Sequence, residues 1–298
     1  MTSSEHALEF DDLPPAVEIG RICAVAGQAA RDTQRWTAQY GRLFSAKPFD
    51  TTLYHTVCQC MSFSAPWAAS EELRLANRAA LWGFGADWLV DYAATSRTAV
   101  EEIVAGCLAV ADGAVPPDDD LLLSLADIRD ELAEAPAWGA LRPVWRDHLA
   151  RFLRAMAREW DWREAGEKGR PTFAEYLDNA DNFGFSFAFV SHWAFTSPPP
   201  TEHDIATIQN AGLAAQRTGR LINDLGTYER DLEWGDLNAL LLGVGREEVA
   251  RRIAELTREF QEAAAPMRAD HPRLARYLER QLDFCTGFYG GSDYWGNL

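Results

Sequence analysis

The feature that most constrains this chain is apolar spacing of three and four residues along segments rich in Ala, Leu, Glu and Arg. That period suits one face of an α-helix. Over residues 249–260, Val249, Ile253 and Phe260 fall on one face, while Arg251, Arg252, Glu255 and Glu259 fall on the other. No alternating run of β-branched residues between Gly-Asn turns competes with this pattern. Helix ends are legible as well. Asp112-Gly113 with Pro116-Pro117 marks a loop, after which Asp118, Asp119 and Asp120 bring carboxylates to a helix start. Residues 164–171 (EAGEKGRP) form another loop, and Ser197-Pro198-Pro199-Pro200 stops a helix before Thr201. With no internal repeat and no linker, the pattern predicts one all-α domain spanning 1–298, of roughly ten helices. Residues 1–20 are expected to be a flexible N-terminal segment.

Charge narrows the partners. The chain carries a net charge of -17. A nucleic-acid partner needs a basic face, and so does an anionic membrane, so both are excluded as expectations. An anionic small ligand would have to be neutralised, and divalent cations held by carboxylates would do that. The stretch 183–195 comes nearest to a membrane span but contains Ser186, Ser191 and His192. Five cysteines without zinc-type spacing read as free thiols. With an acidic start lacking an apolar signal core, they point to the cytoplasm.

The chemistry concentrates in residues 220–238, RLINDLGTYERDLEWGDLN. Asn223, Thr227 and Asp231 are spaced by four, so an amide oxygen, a hydroxyl and a carboxylate stack on one helix face. All three are hard oxygen donors suited to Mg²⁺. Arg230 could offer a fork of donors to a phosphate. Earlier, residues 81–96 read LWGFGADWLVDYAATS, with Asp87 and Asp91 also four apart. Two carboxylates among Trp82, Phe84, Trp88, Leu89, Val90 and Tyr92 need partners, because unpaired buried charge is costly.

These stretches resemble the two metal motifs of class I terpene synthases. The 220–238 stretch is similar to Asn-Asp-x-x-Ser/Thr-x-x-x-Glu with a basic residue before the last position and a downstream Gly-x-x-Asn. Here Asp231 stands for Glu, Arg230 precedes it, and Gly235 and Asn238 follow. The 81–96 stretch resembles the Asp-Asp-x-x-Asp helix. One register sets Asp87 and Asp91 at its ends with Trp88 at the second Asp. The other puts Ala86 first and Asp87 second. The first is preferred because it keeps both carboxylates on one helix face. Residues 176–187, YLDNADNFGFSF, resemble a segment of kaurene-synthase-like, labdane-related class I diterpene synthases, which lack the diphosphate-sensing Arg found in many bacterial relatives.

The resemblance implies an antiparallel α-helical barrel around an apolar cavity and a lyase that ionises an isoprenoid diphosphate. It implies three Mg²⁺ per site, on Asp87, Asp91, Asn223, Thr227 and Asp231. Arg230 and Tyr294 are the expected diphosphate contacts. Phe84, Trp88, Asn179, Phe183, Gly184, Phe187 and Tyr289 are expected in the pocket, aromatic faces attracting cations. A bicyclic copalyl-type diphosphate is the preferred substrate. The triple Asp118–Asp120 lacks the Asp-x-Asp-Asp spacing of a protonating cyclase, so a class II diterpene cyclase is the expected functional partner, and a homodimer the expected assembly to test. The competing readings are a sesquiterpene cyclase using farnesyl diphosphate, a prenyl-joining transferase, and a helical binding protein that has lost catalysis. Ala86, Trp88 and Asp293 are the residues that favour the last.

Overall fold

The computed structural model describes residues 15–296. Residues 1–14 of the expected flexible segment lie outside it, and Ala16 onward is helical. The described residues form twelve α-helices and no strand. They are α1 (Ala16–Thr37), α2 (Gly41–Phe44), α3 (Thr51–Ser64), α4 (Arg74–Trp88), α5 (Arg97–Ala111), α6 (Asp120–Ala133), α7 (Trp138–Ala165), α8 (Phe173–Asp178), α9 (Phe185–Thr196), α10 (Glu202–Trp234), α11 (Arg246–Asp270) and α12 (Pro272–Tyr289). Ten of them have at least twelve residues, in line with the number the apolar period predicts.

Helix starts follow capping chemistry. Asp119 accepts the Leu122 amide at α6, and Thr201 with Asp204 closes a reciprocal cap at α10. Each satisfies amide donors that a helix start leaves free, and a cap is worth about 1 kcal/mol. Asp118 and Asp120 turn to Arg42 at 2.7 Å, a structural use that leaves them no role as acids. In α11, Val249 and Phe260 are buried while Arg252 pairs outward with Glu255 and Glu259 at 3.0 Å.

The most apolar stretch becomes α9. Ten of its twelve residues are buried, and it packs against α4, α6, α7 and α10. A helix that is apolar all round belongs inside a bundle. Phe187, Phe189 and Trp193 are each at most 2% exposed, and each fully buried large side chain contributes about 2 kcal/mol. No helix among the described residues is long and apolar enough to cross a membrane. The five cysteines are free, and only Cys23 is exposed.

Around α9 the neighbours pair α3 with α12, α10 with α12 and α4 with α9. Their inner faces surround an open-mouthed cavity; the space within it and out into solvent at the mouth comes to about 1320 Å³.

Candidate active site

Two helices bring carboxylates to the mouth of this cavity from opposite walls. On the first, α4 carries Asp87 at its end. The helix then widens into a single π-type turn, Leu89–Ala93, closed by the Ala94 amide donating to Leu89 O at 2.8 Å. Wide turns of this kind recur at functional sites. Asp91 sits in that turn, so the expected uniform α-helical face is locally unwound, yet both carboxylates still line the cavity. Arg163 of α7 donates to Asp91 Oδ1 at 3.1 Å and reaches Asp236 at 3.9 Å. Asp87 has no ion pair among the described residues. Burial, then Asp91 and Asp236, hold the Asp87 carboxyl well above the usual carboxylate range. Burial also lifts Asp91 to about 6, against the opposing pull of Arg163.

The second wall is α10, and its donors are tightly interlocked. Thr227 Oγ1 donates to Asp231 Oδ2 at 2.6 Å, and Asn238 Nδ2 donates to the same oxygen at 2.8 Å. Arg230 pairs with Asp231 at 2.7 Å and with Asp293 at 3.2 Å. Gly235 makes this possible. Its φ of +79° ends α10 in a left-handed turn, cheap only for glycine, and it returns the chain so that buried Asn238 lies behind Asp231. The Gly-x-x-Asn spacing is thus a turn plus an anchor. Below it, Asp224 accepts from Tyr176 Oη at 2.8 Å and from the Ala239 amide at 3.1 Å. Arg220 donates to Tyr176 Oη at 2.7 Å, pairs with Glu159 at 3.3 Å and also bonds Asn182. Burial raises Glu159 to about 7, with Arg220 opposing.

Of the residues singled out from the sequence, Phe84, Asp87, Asp91, Phe183, Gly184, Phe187, Asn223, Arg230, Asp231, Tyr289 and Tyr294 line one cavity. Three expected residues stand outside the lining. Trp88, one residue beyond Asp87, stacks on Tyr92 at 4.9 Å and packs behind the lining residue Trp295 at 6.4 Å. Asn179 is buried and donates to the Ala155 carbonyl at 2.9 Å, tying the end of α8 to α7. Thr227 is 1% exposed and stands behind Asp231. Tyr294, expected at a diphosphate, packs on Phe84 and Phe288 at 5.4 and 4.7 Å, and it is its neighbour Asp293 that faces Arg230. Gly184, with φ +68°, separates a short 3₁₀ turn (Ala180–Phe183) from α9 and breaks the helix beside the cavity.

Sequence reasoning missed Glu159, Arg163, Arg220 and Asp236, all of which line the cavity. Asp236 lies inside the Gly-x-x-Asn spacing and could have been noted there. Tyr92 Oη donates to it at 3.1 Å.

The lining carries five acids, Asp87, Asp91, Glu159, Asp231 and Asp236, against three arginines, Arg163, Arg220 and Arg230. Among the described residues no three His, Cys, Asp or Glu side chains converge closely enough to cage a metal unaided. A cation bound here would therefore draw on Asn and Thr oxygens and on the ligand itself. The crowded carboxylates of the α4 wall, which share Arg163 and leave Asp87 without an ion pair among the described residues, fit a divalent cation, which would add positive charge there. The donors are all oxygens, as a hard cation requires.

The model of terpene synthase family 2, C-terminal metal binding, matches residues 80–263. The chain belongs to this family, and it is a class I terpene synthase, a lyase with a divalent metal cofactor. Among its relatives is the ent-pimara-9(11),15-diene synthase of Streptomyces sp. (strain KO-3988), 28% identical over 283 residues, covering 92% of this chain and 93% of that one. The ent-pimara-8(14),15-diene synthase of Oryza sativa subsp. japonica is 30% identical over 142 residues, covering 43% of this chain but only 17% of the rice protein. The fold matches 2-methylisoborneol synthase from Streptomyces coelicolor, solved with Mg²⁺ and geranyl-S-thiolodiphosphate, at a TM-score of 0.73 and 17% identity over 92% of this chain and 93% of that one.

Proposed function

We propose that the chain is a diterpene synthase that ionises a bicyclic, copalyl-type diphosphate and cyclises or rearranges the carbocation to a diterpene hydrocarbon or alcohol. The observation that carries this is a net-acidic, two-walled mouth opening onto an aromatic cavity. An anionic substrate can enter such a mouth only with cations.

Asp87 and Asp91 on one wall, and Asn223 and Asp231 on the other, would hold Mg²⁺, three ions by family resemblance; Thr227 would join them only by turning its hydroxyl from Asp231. Bound there, the metal would neutralise the departing diphosphate. Arg230 and Arg163, already fixed by ion pairs at the mouth, add preorganised positive charge to the same end. Phe84, Phe183, Phe187 and Tyr289 present ring surfaces to the cation. Tyr294 and Trp295 pack on Phe84 at 5.4 and 5.1 Å and help to keep water from the reacting carbons.

Two features support the substrate choice. The Tyr176 segment has no Arg of its own, and the identity to a pimaradiene synthase extends over nearly the whole chain. A bicyclic substrate must be supplied by a cyclase that starts by protonation. The test is product analysis by gas chromatography after incubation with each copalyl diphosphate enantiomer, geranylgeranyl diphosphate and farnesyl diphosphate. Turnover of a copalyl diphosphate at least about tenfold above the others, in kcat/KM, is expected. Preference for farnesyl diphosphate would overturn the diterpene reading.

A further inference from the structure

Helix α12 descends along the cavity wall from the mouth inward. Tyr289 lies at the top, in contact with Asn223. Cys285 is one turn deeper and Gln281 two turns deeper, and all three line the cavity. Eight residues of helix put Gln281 about 12 Å below Tyr289 along the axis. The wall there is otherwise small or apolar: Val57, Met61, Ala188 and the paired thiols Cys60 and Cys285. Gln281 is 3% exposed. Its amide stands beside the Cys60 sulfur, and its carbonyl oxygen Oε1 has no hydrogen-bond partner. Buried amide oxygens are normally paired, and an unpaired one is destabilising.

We propose that Gln281 is a specificity-determining residue for the cyclisation. Its carbonyl dipole, set in an apolar wall far from the metal-binding mouth, draws positive charge toward the carbons nearest it and so selects which intermediate cation is quenched. The physical reason is the low dielectric of the surroundings. A fixed dipole acts strongly there, since no water screens it. The departing diphosphate attracts charge back to the mouth. Gln281 is the opposing pole: its unpartnered oxygen is covered by the wall rather than open to the cavity, so it acts on a passing cation through its field and not by direct contact.

This rests on the carbocation chemistry proposed above, and the experiment separates the two. Diphosphate release and product ratios are measured in parallel, on whichever isoprenoid diphosphate the wild type turns over best. Should that substrate not be a copalyl diphosphate, the substrate reading fails, while the comparison of variants still decides this inference. Gln281→Met keeps the length and loses the carbonyl. Gln281→Glu keeps the length and a carbonyl oxygen, its burial favouring the neutral acid. The Met variant is expected to release diphosphate within about twofold of wild type while its major-to-minor product ratio changes by about fivefold or more, a shift that sub-kilocalorie to kilocalorie differences in barrier produce. The Glu variant is expected to retain the wild-type ratio. Gln281→Leu gives a second removal of the dipole should Met pack poorly. Unchanged product ratios in the Met and Leu variants, or equal shifts in Met and Glu, would overturn the proposal. So would a loss of diphosphate release at constant ratio, which a merely structural role would give.

Discussion

The two walls of the mouth offer similar oxygen donors in different states of neutralisation. On α10, Asp231 accepts from Thr227, Asn238 and Arg230; the helix itself places Thr227 and Arg230, and the turn at Gly235 places Asn238. On the α4 wall, Asp87 faces Asp91 and Asp236, with Arg163 the cation that reaches the latter two. The α10 wall is thus built to be rigid without a ligand, while the α4 wall stores repulsion that a cation would relieve. Its unwinding into a π-type turn fits that difference, since a widened turn can shift its side chains more readily than a regular helix. The comparison teaches that the same kind of substitution should act in opposite senses on stability at the two walls, though both should suppress turnover.

The largest effect tests that directly. Removing α10 donors with Asn223→Ala plus Asp231→Ala is expected to lower diphosphate release by roughly 10³-fold or more. Asp231→Ala alone should destabilise the fold by about 3 kcal/mol, because it strands the buried side of Arg230 and the Asn238 amide. Asp87→Asn should also suppress release, by roughly 10²-fold, yet raise the melting temperature of the metal-free protein by about 2 °C, as the cost of burying a carboxyl beside Asp91 and Asp236 is removed. Retained activity in the α10 double variant would sink the metal assignment, and a falling melting temperature in Asp87→Asn would sink the contrast between the walls.

A second effect, smaller, lies in the pH dependence. Asp87 and Asp91 titrate higher folded than unfolded, Asp91 near 6 against an ordinary value of 3.8. The native state therefore binds more protons, so stability conferred by the neutral acids is present at low pH and is lost as pH rises from about 4 through 6 and beyond. Glu159 and Asp224, raised to about 7 and about 6, act in the same direction. Melting curves of the metal-free protein should fall between about pH 5 and 7.5, and Asp87→Asn with Asp91→Asn should flatten that slope. Added Mg²⁺ should stabilise at pH 7.5 and have little effect at pH 5, since its ligands must first lose protons. A flat profile in the wild type would remove the idea of stored repulsion.

Legibility in the sequence divides along the same line. Asn223, Thr227 and Asp231 lie on one unbroken helix, so a spacing of four located them, and Gly235 and Asn238 follow within a turn. The break at Ser197–Pro200 and the cap at Asp119 are local chemistry, and both stand where the sequence puts them. The α4 wall was only half legible. Spacing found Asp87 and Asp91, but its other members, Arg163 and Asp236, come from α7 and from the turn after α10. Arg163 sits in a charged run that reads as the approach to a loop, and nothing local announces that it will reach Asp91, 72 residues away. Trp88, expected in the pocket, is not among its lining residues: its angular position, one residue past Asp87, sets it on Tyr92 and behind Trp295. Gln281 had no motif at all, and only the packing of α12 against α3 shows its oxygen without a partner.

The smallest expected effect concerns the point where the rigid wall meets the C-terminal segment. Asp293 pairs with Arg230 at 3.2 Å and also accepts the Trp295 and Gly296 amides at 2.6 and 3.0 Å. It therefore holds the segment that carries Tyr294 and Trp295 against Phe84, and it partly cancels the charge of Arg230, the arginine proposed to meet diphosphate. Asn at this position can keep an oxygen acceptor for both amides while removing the negative charge. Asp293→Asn should then leave kcat within about twofold and lower KM by about threefold, the scale of one partly screened ion pair, about 0.7 kcal/mol. Ionic strength separates this from a packing effect, because added salt should shrink the difference between variant and wild type. If KM rises instead, the carboxylate serves the segment more than it opposes the substrate, and the α10 wall would need Asp293 as a structural member.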